Sequence, residues 1–240
     1  MTRKSTSPEN ALPLTKSQIA AMADQSMAEI LGRARAGVPE ARAIRRRLSA
    51  RLKGESAGDV VAVGLAIASA PALKPARARW VGWELINQRK DALALLDLAM
   101  VEALGAGNSS WDEVDGFGLY IAGAAWLRGL IGDEDIVAWT QSEDLWSRRA
   151  ALVATVVLNS KTHGGAGDAA RTLMIAELLA DDREDMVVKA MSWALRMLVP
   201  WDRAAVETFL ARHDARLAAR IKREVRTKLR TGKKNAWKKA

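Results

Sequence analysis

Ala150-Ala151-Leu152-Val153-Ala154-Thr155-Val156-Val157-Leu158 contains a single polar residue and four β-branched ones. A run of this kind is either a strand covered on both faces or a buried helix, and its own periodicity does not separate the two. Its surroundings do. On either side, apolar residues recur at i, i+3, i+4 and i+7, and Ala and Leu, both good helix formers, dominate. The run is therefore expected to be a buried helix. The similar stretch Val60–Ala68 is read in the same way.

Working outward, the chain reads as helical almost throughout. Helices are expected over 17–36, 38–53 (Pro39 at a helix start), 56–70, 76–87, 91–105, 133–140, 142–159, 168–180, 183–198, 202–212 and 215–230. Residues 111–129 form one helix or two short ones around Gly116, Gly118 and Gly123. Helix pairs recur at about 35–40 residues, the period of HEAT and armadillo arrays. The expected fold is an all-α, HEAT-like helical-repeat solenoid, an α–α superhelix with a concave basic surface. Residues 14–230 are expected to form one domain. The polar segment 1–13, with Pro8 and Pro13, and the basic tail 231–240 are expected to be disordered.

The 240 residues include no Cys and only His163 and His213, which excludes disulfides, a thiolate nucleophile, Fe–S clusters and a multi-His metal site. No apolar run reaches the roughly 18 residues of a transmembrane helix, and Met1–Glu9 has no apolar signal-peptide core. A cytoplasmic protein without membrane association is expected. Charge is segregated: residues 1–53 carry +7, residues 54–211 carry −8 and residues 212–240 carry +10. Basic ends on an acidic body point to a polyanionic partner, although basic ends also serve solubility alone. Arg216, Arg220, Arg223, Arg226 and Arg230 step by three and four, making one basic helical stripe. Nine Trp against one Tyr and two Phe exceed what core packing calls for, so some Trp are expected to line a surface.

Two motifs carry a family resemblance. The first is Trp139-Thr-Gln-Ser-Glu-Asp-Leu-Trp-Ser-Arg-Arg149, continuing into Ala150-Ala151. The second is Arg183 followed by Val188-Lys-Ala-Met-Ser-Trp-Ala-Leu-Arg196. Trp111-Asp-Glu-Val-Asp115 and the closing Arg223-Glu224 to Leu229 helix add to them. Over residues 75–230 this order resembles the AlkD-type DNA alkylation repair family, HEAT-like glycosylases that release N3- and N7-alkylated purines. No counterpart of the family's N-terminal aromatic segment is found before residue 75. The resemblance places a catalytic acid four residues after the first Trp; Glu143 stands there and Asp144 follows, so both are candidates. Successive helical residues point about 100° apart, so the two cannot face one cleft equally. The resemblance further implies DNA contacts from Trp139, Trp146, Arg149, Arg183, Lys189 and Trp193.

The chemistry fits these residue types. An alkylpurine is cationic, and its departure leaves an oxocarbenium ion that a carboxylate stabilises. Aromatic faces hold the cation and Arg or Lys hold the phosphates; the resemblance implies that this happens without the base being flipped into a pocket. Each residue also has a plainer reading. Glu143 and Asp144, after Ser142, suit the first turn of a helix. Trp146, Trp193, Trp80 and Trp83 suit a core, and Lys189 and Arg196 a solvated face. Arg148 and Arg149 suit either phosphates or neighbouring acids. Gly164-Gly-Ala-Gly167 lacks the Lys-Ser/Thr of a phosphate loop. The expected function is a glycosylase acting as a monomer on alkylated duplex DNA, with no metal or organic cofactor implied. Two alternatives stand: a non-catalytic binder of damaged or branched DNA, and a helical-repeat scaffold for protein partners.

Overall fold

Short polar side chains set most of the helix boundaries. Ser56, Asp97, Ser110, Asp144, Asp168 and Asp202 each accept a hydrogen bond from a backbone N–H in the first turn that follows. Each satisfies a donor that the helix cannot satisfy itself. The computed structural model describes residues 13–31, 37–69 and 77–234, and among them there is no strand. The chain divides by its packing into two compact units, residues 1–107 and 108–240. Most of the expected N-terminal tail, the break at Pro71–Pro75 and residues 235–240 lie outside the described residues.

The first unit holds α1 (Lys16–Leu31), α2 (Val38–Arg51), α3 (Ala57–Ala68), α4 (Arg77–Gln88), α5 (Lys90–Leu93) and α6 (Leu98–Gly105). α1 stacks on α3 and α2 on α4, while α3 and α4 lie tightly together. A Cβ on Gly82 would sit 2.4 Å from the Gly64 carbonyl oxygen, so the two backbones touch where only glycine fits. Ile44, Leu48, Val63, Ile67, Ile86 and Leu104 fill the core. Trp83 is a core residue, and its indole donates to the Leu104 carbonyl at 3.0 Å. The helix expected over 91–105 is two helices, because Asp97 caps a new start at Leu98.

The second unit holds α7 (Trp111–Phe117), a π-helical turn (Gly118–Ala122), α8 (Gly123–Leu127), α9 (Asp133–Thr140) and α10 (Leu145–Leu158). A 3₁₀ turn (Lys161–His163), α11 (Ala169–Leu178), α12 (Asp185–Leu198), α13 (Arg203–Arg212) and α14 (Ala219–Thr231) follow. The run that opened the sequence reading is the central helix: every residue from Arg149 to Ser160 is buried. α10 packs on α12 and α12 on α14, with α11 against both α10 and α12. Stacking of each helix on the next but one is the packing of an all-α helical-repeat fold. α7, the π turn and α8 run along α10 at short range. A Cβ at Gly118 would lie 2.6 Å from Val153 Cγ1, and one at Gly123 would lie 2.7 Å from the Ala154 carbonyl oxygen. The helix type does change at Gly118 and Gly123, as the sequence implies, and both glycines are also contact points on α10.

Candidate active site

Trp111 and Asp115 are four residues apart on α7, so they share one face. Ser110 caps this helix, and the Glu113 carboxylate reaches back to the Ser109 N–H at 2.9 Å. Val114 and Phe117 take the buried side, which leaves Trp111 about half exposed (52 %) and Asp115 partly buried. Arg149 Nη2 donates to Asp115 Oδ1 at 2.8 Å and to Oδ2 at 3.0 Å, and its Nε donates to Oδ1 at 3.0 Å. Arg149 Nη1 also donates to the Met186 carbonyl at the start of α12. One buried guanidinium thus joins α7, α10 and α12.

Around this pair lies a cleft of about 460 Å³. Trp111 and Asp115 come from α7, Arg149 from α10, Lys189, Trp193 and Arg196 from α12, and Arg220 and Glu224 from α14, with Lys234 beyond. Five cations against two carboxylates make the cleft basic. Lys189, Trp193 and Arg196 fall at i, i+4 and i+7, one stripe of α12. Lys189 Nζ pairs with Asp185 at 2.5 Å. Glu224 accepts from the Ser192 hydroxyl at 2.7 Å and from Arg220 Nε at 2.9 Å, with Arg196 3.7 Å away.

The two acids of the cleft are tuned in opposite directions. Burial pushes the Asp115 carboxyl above its ordinary range, and the charge and hydrogen bonds of Arg149 only partly offset it. Burial also opposes the charge on Glu224. There the bonds from Ser192 and Arg220, with the charges of Arg220 and Arg196, prevail and hold the carboxyl below its usual value.

The structure brings Arg149, Lys189 and Trp193 of the expected site together in this cleft, and not the others. Asp144 is the N-cap of α10 and accepts from the Trp146 and Ser147 N–H groups at 3.2 and 3.0 Å. Its carboxylate serves the helix terminus, as the plainer reading has it. Glu143 is exposed, and its main-chain carbonyl accepts from Arg148. Neither acid lines the cleft; the acid beside Arg149 is Asp115. Trp139 is half-buried with its ring 6.0 Å from that of Phe117, and Trp146 is half-buried near the start of α10. Arg183 is exposed and donates to the Ala180 and Asp182 carbonyls. Arg148 is an ion-pair partner, bound to Asp182 at 2.7 Å. The sequence shows Arg220 in a basic stripe suited to phosphates, and Trp111, Asp115 and Glu224 within family segments, without marking these three as site residues. The signal for the first two was the Trp-Asp-Glu-Val-Asp segment, whose i, i+4 spacing puts an aromatic and an acid on one helical face.

Residues 37–229 match the model of the DNA alkylation repair enzyme family. The chain belongs to that family. Its role is accordingly DNA alkylation repair, with DNA as its partner. Neither a search of curated proteins nor one of solved structures returned a match. The family match takes in every residue of the cleft except Lys234. Among the described residues no helix is long and apolar enough to cross a membrane.

Proposed function

We propose that the cleft is the active site of a DNA glycosylase that hydrolyses the N-glycosidic bond of cationic N3- and N7-alkylated purines in duplex DNA. The observation that supports it is the meeting of one partly buried carboxylate, Asp115, with two indoles, Trp111 and Trp193, in a cleft of five cations. The glycosidic bond breaks with its electron pair going to the cationic base, which leaves neutral. Positive charge moves to the sugar, where the Asp115 carboxylate stabilises it. Water then adds at C1′ and gives up one proton, which the Asp115 carboxylate accepts. The indole faces hold the cationic nucleotide before the bond breaks. Lys189, Arg196, Arg220 and Lys234 hold flanking phosphates. Arg149 fixes the carboxylate, which lowers the cost of reorganising it as charge develops.

One observation favours a second reading. Both Asp115 oxygens already accept from Arg149. A carboxylate so engaged also suits a non-catalytic binder of damaged DNA. Chromatography of bases released from methylated duplex DNA decides between them. Release of 7-methylguanine or 3-methyladenine above the spontaneous rate, abolished by Asp115→Asn and retained by the Glu143→Gln/Asp144→Asn double variant, supports the glycosylase. Binding without release supports the second reading. Release untouched by Asp115→Asn overturns the assignment of the acid.

A further inference from the structure

The first unit has a cationic cavity of its own. It measures about 330 Å³ and is lined by Arg45, Ser49, Leu52, Lys53, Val60, Leu85, Gln88 and Arg89. No lining residue is acidic, and three are cationic. Arg89 is fixed in its wall. Its guanidinium donates to the Leu52 carbonyl at 2.9 Å and the Glu55 carbonyl at 2.7 Å and pairs with Asp91 at 3.0 Å. Those bonds satisfy two carbonyls in the turn that follows α2, and they pin the turn that carries Lys53.

The charges nearby do not cancel. Arg45 lies 3.7 Å from Glu84 Oε2, and Arg42 takes the same carboxylate at 3.2 Å, so one anion serves two guanidinium groups. Arg45 Nε is buried without a hydrogen bond. The cavity wall itself carries three cations, Arg45, Lys53 and Arg89, and no acid. Ser49, Lys53 and Gln88 have no side-chain partner among the described residues, so a hydroxyl, an ammonium and an amide stand ready to donate. Leu52, Val60 and Leu85 supply an apolar floor. Clustered donors, a surplus of charge and no acid in the wall are the chemistry of a phosphate site.

We infer that this cavity binds a phosphate group, apart from the cleft that holds Asp115. The phosphate is either one in a DNA backbone or one on a small free anion. The assignment does not depend on base excision.

Two titrations of the full chain test it, each with wild type and Lys53→Glu. Lys53 is exposed at a turn, so its reversal leaves the core intact; Ser49→Ala is the second variant. Fluorescence anisotropy with an undamaged duplex at several salt concentrations reads the first source. A roughly tenfold loss of affinity in Lys53→Glu, with the slope of log affinity on log salt falling by about one, identifies a backbone phosphate. Calorimetric titration with inorganic phosphate reads the second. Binding by wild type that disappears in Lys53→Glu and weakens in Ser49→Ala, with DNA affinity unchanged, identifies a free anion. If Lys53→Glu alters neither titration, the inference is overturned.

Discussion

At the scale of single residues, the protein turns on how Asp115 and Arg149 share charge. Removing one member of a buried pair strands the other, at a cost of about 3–5 kcal/mol. Arg149→Gln should therefore lower stability by several kcal/mol in urea denaturation. The same change tests the site. In the proposed mechanism deprotonated Asp115 is the active form, so base release should fall as pH drops through a pKa that burial has raised above the ordinary Asp range. Arg149 holds that pKa down, so Arg149→Gln should move the acidic limb of the rate profile to still higher pH. A limb that stays in place would separate Asp115 from the chemistry. The two cleft acids also leave opposite marks on stability. Glu224, depressed in the fold, contributes stability above the pKa of an unfolded Glu and loses it as pH falls through the folded value. Asp115, raised, contributes below its unfolded pKa and loses that as pH rises through the folded one. Thermal melts of Glu224→Gln against pH should therefore lose slope on the acidic side only. The family motifs name Arg149, Lys189 and Trp193, and the fold gathers these three in one cleft. The family motif points to Glu143 and Asp144, whereas the acid proposed here, Asp115, meets Arg149 across 34 residues of chain, a distance that local spacing does not read.

At the scale of elements, the geometry of the site is set by how closely α7 and α8 approach α10. Gly123→Ala would drive a methyl into the Ala154 carbonyl oxygen and Val157, and the backbone cannot yield as a side-chain tip can. A loss of about 1–3 kcal/mol is expected. Base release should fall with it even below the melting temperature, since the helix carrying Asp115 shifts relative to Arg149; a displacement near 1 Å can cost about a hundredfold. Normal release by a well-folded Gly123→Ala protein would show that this contact does not position the carboxylate. The helices themselves were largely written in the sequence. The β-branched run from Ala150 to Leu158 was read correctly because its neighbours carry the helical period. Errors came at boundaries, where one side chain chooses among several possible caps. Asp144 rather than Ser142 starts α10, and Asp97 breaks what the apolar pattern joined. The π turn at Gly118–Ala122 is bracketed by Gly118 and Gly123, which mark a break in the sequence without specifying its helix type.

At the scale of the whole molecule, the net charge of +9 and its concentration toward the ends make DNA affinity a matter of ionic strength. Log affinity should fall linearly with log salt, and Lys189→Ala and Lys234→Ala should each reduce the slope by about one. Anisotropy titrations check this, and a slope indifferent to both changes would remove these lysines from phosphate contact. The stacking of each helix on the next but one has another consequence. Its contacts join segments close together along the chain, so little loop entropy must be lost before native packing begins to repay it. Each unit should then fold quickly, helix by helix, as locally wired helical proteins do within milliseconds or faster. The Arg149 bonds to Asp115 and to Met186, which span 34 and 37 residues, are among the longer-range connections in the second unit. Their closure belongs late in that order, so the cleft is finished only once its three supporting helices are already in place.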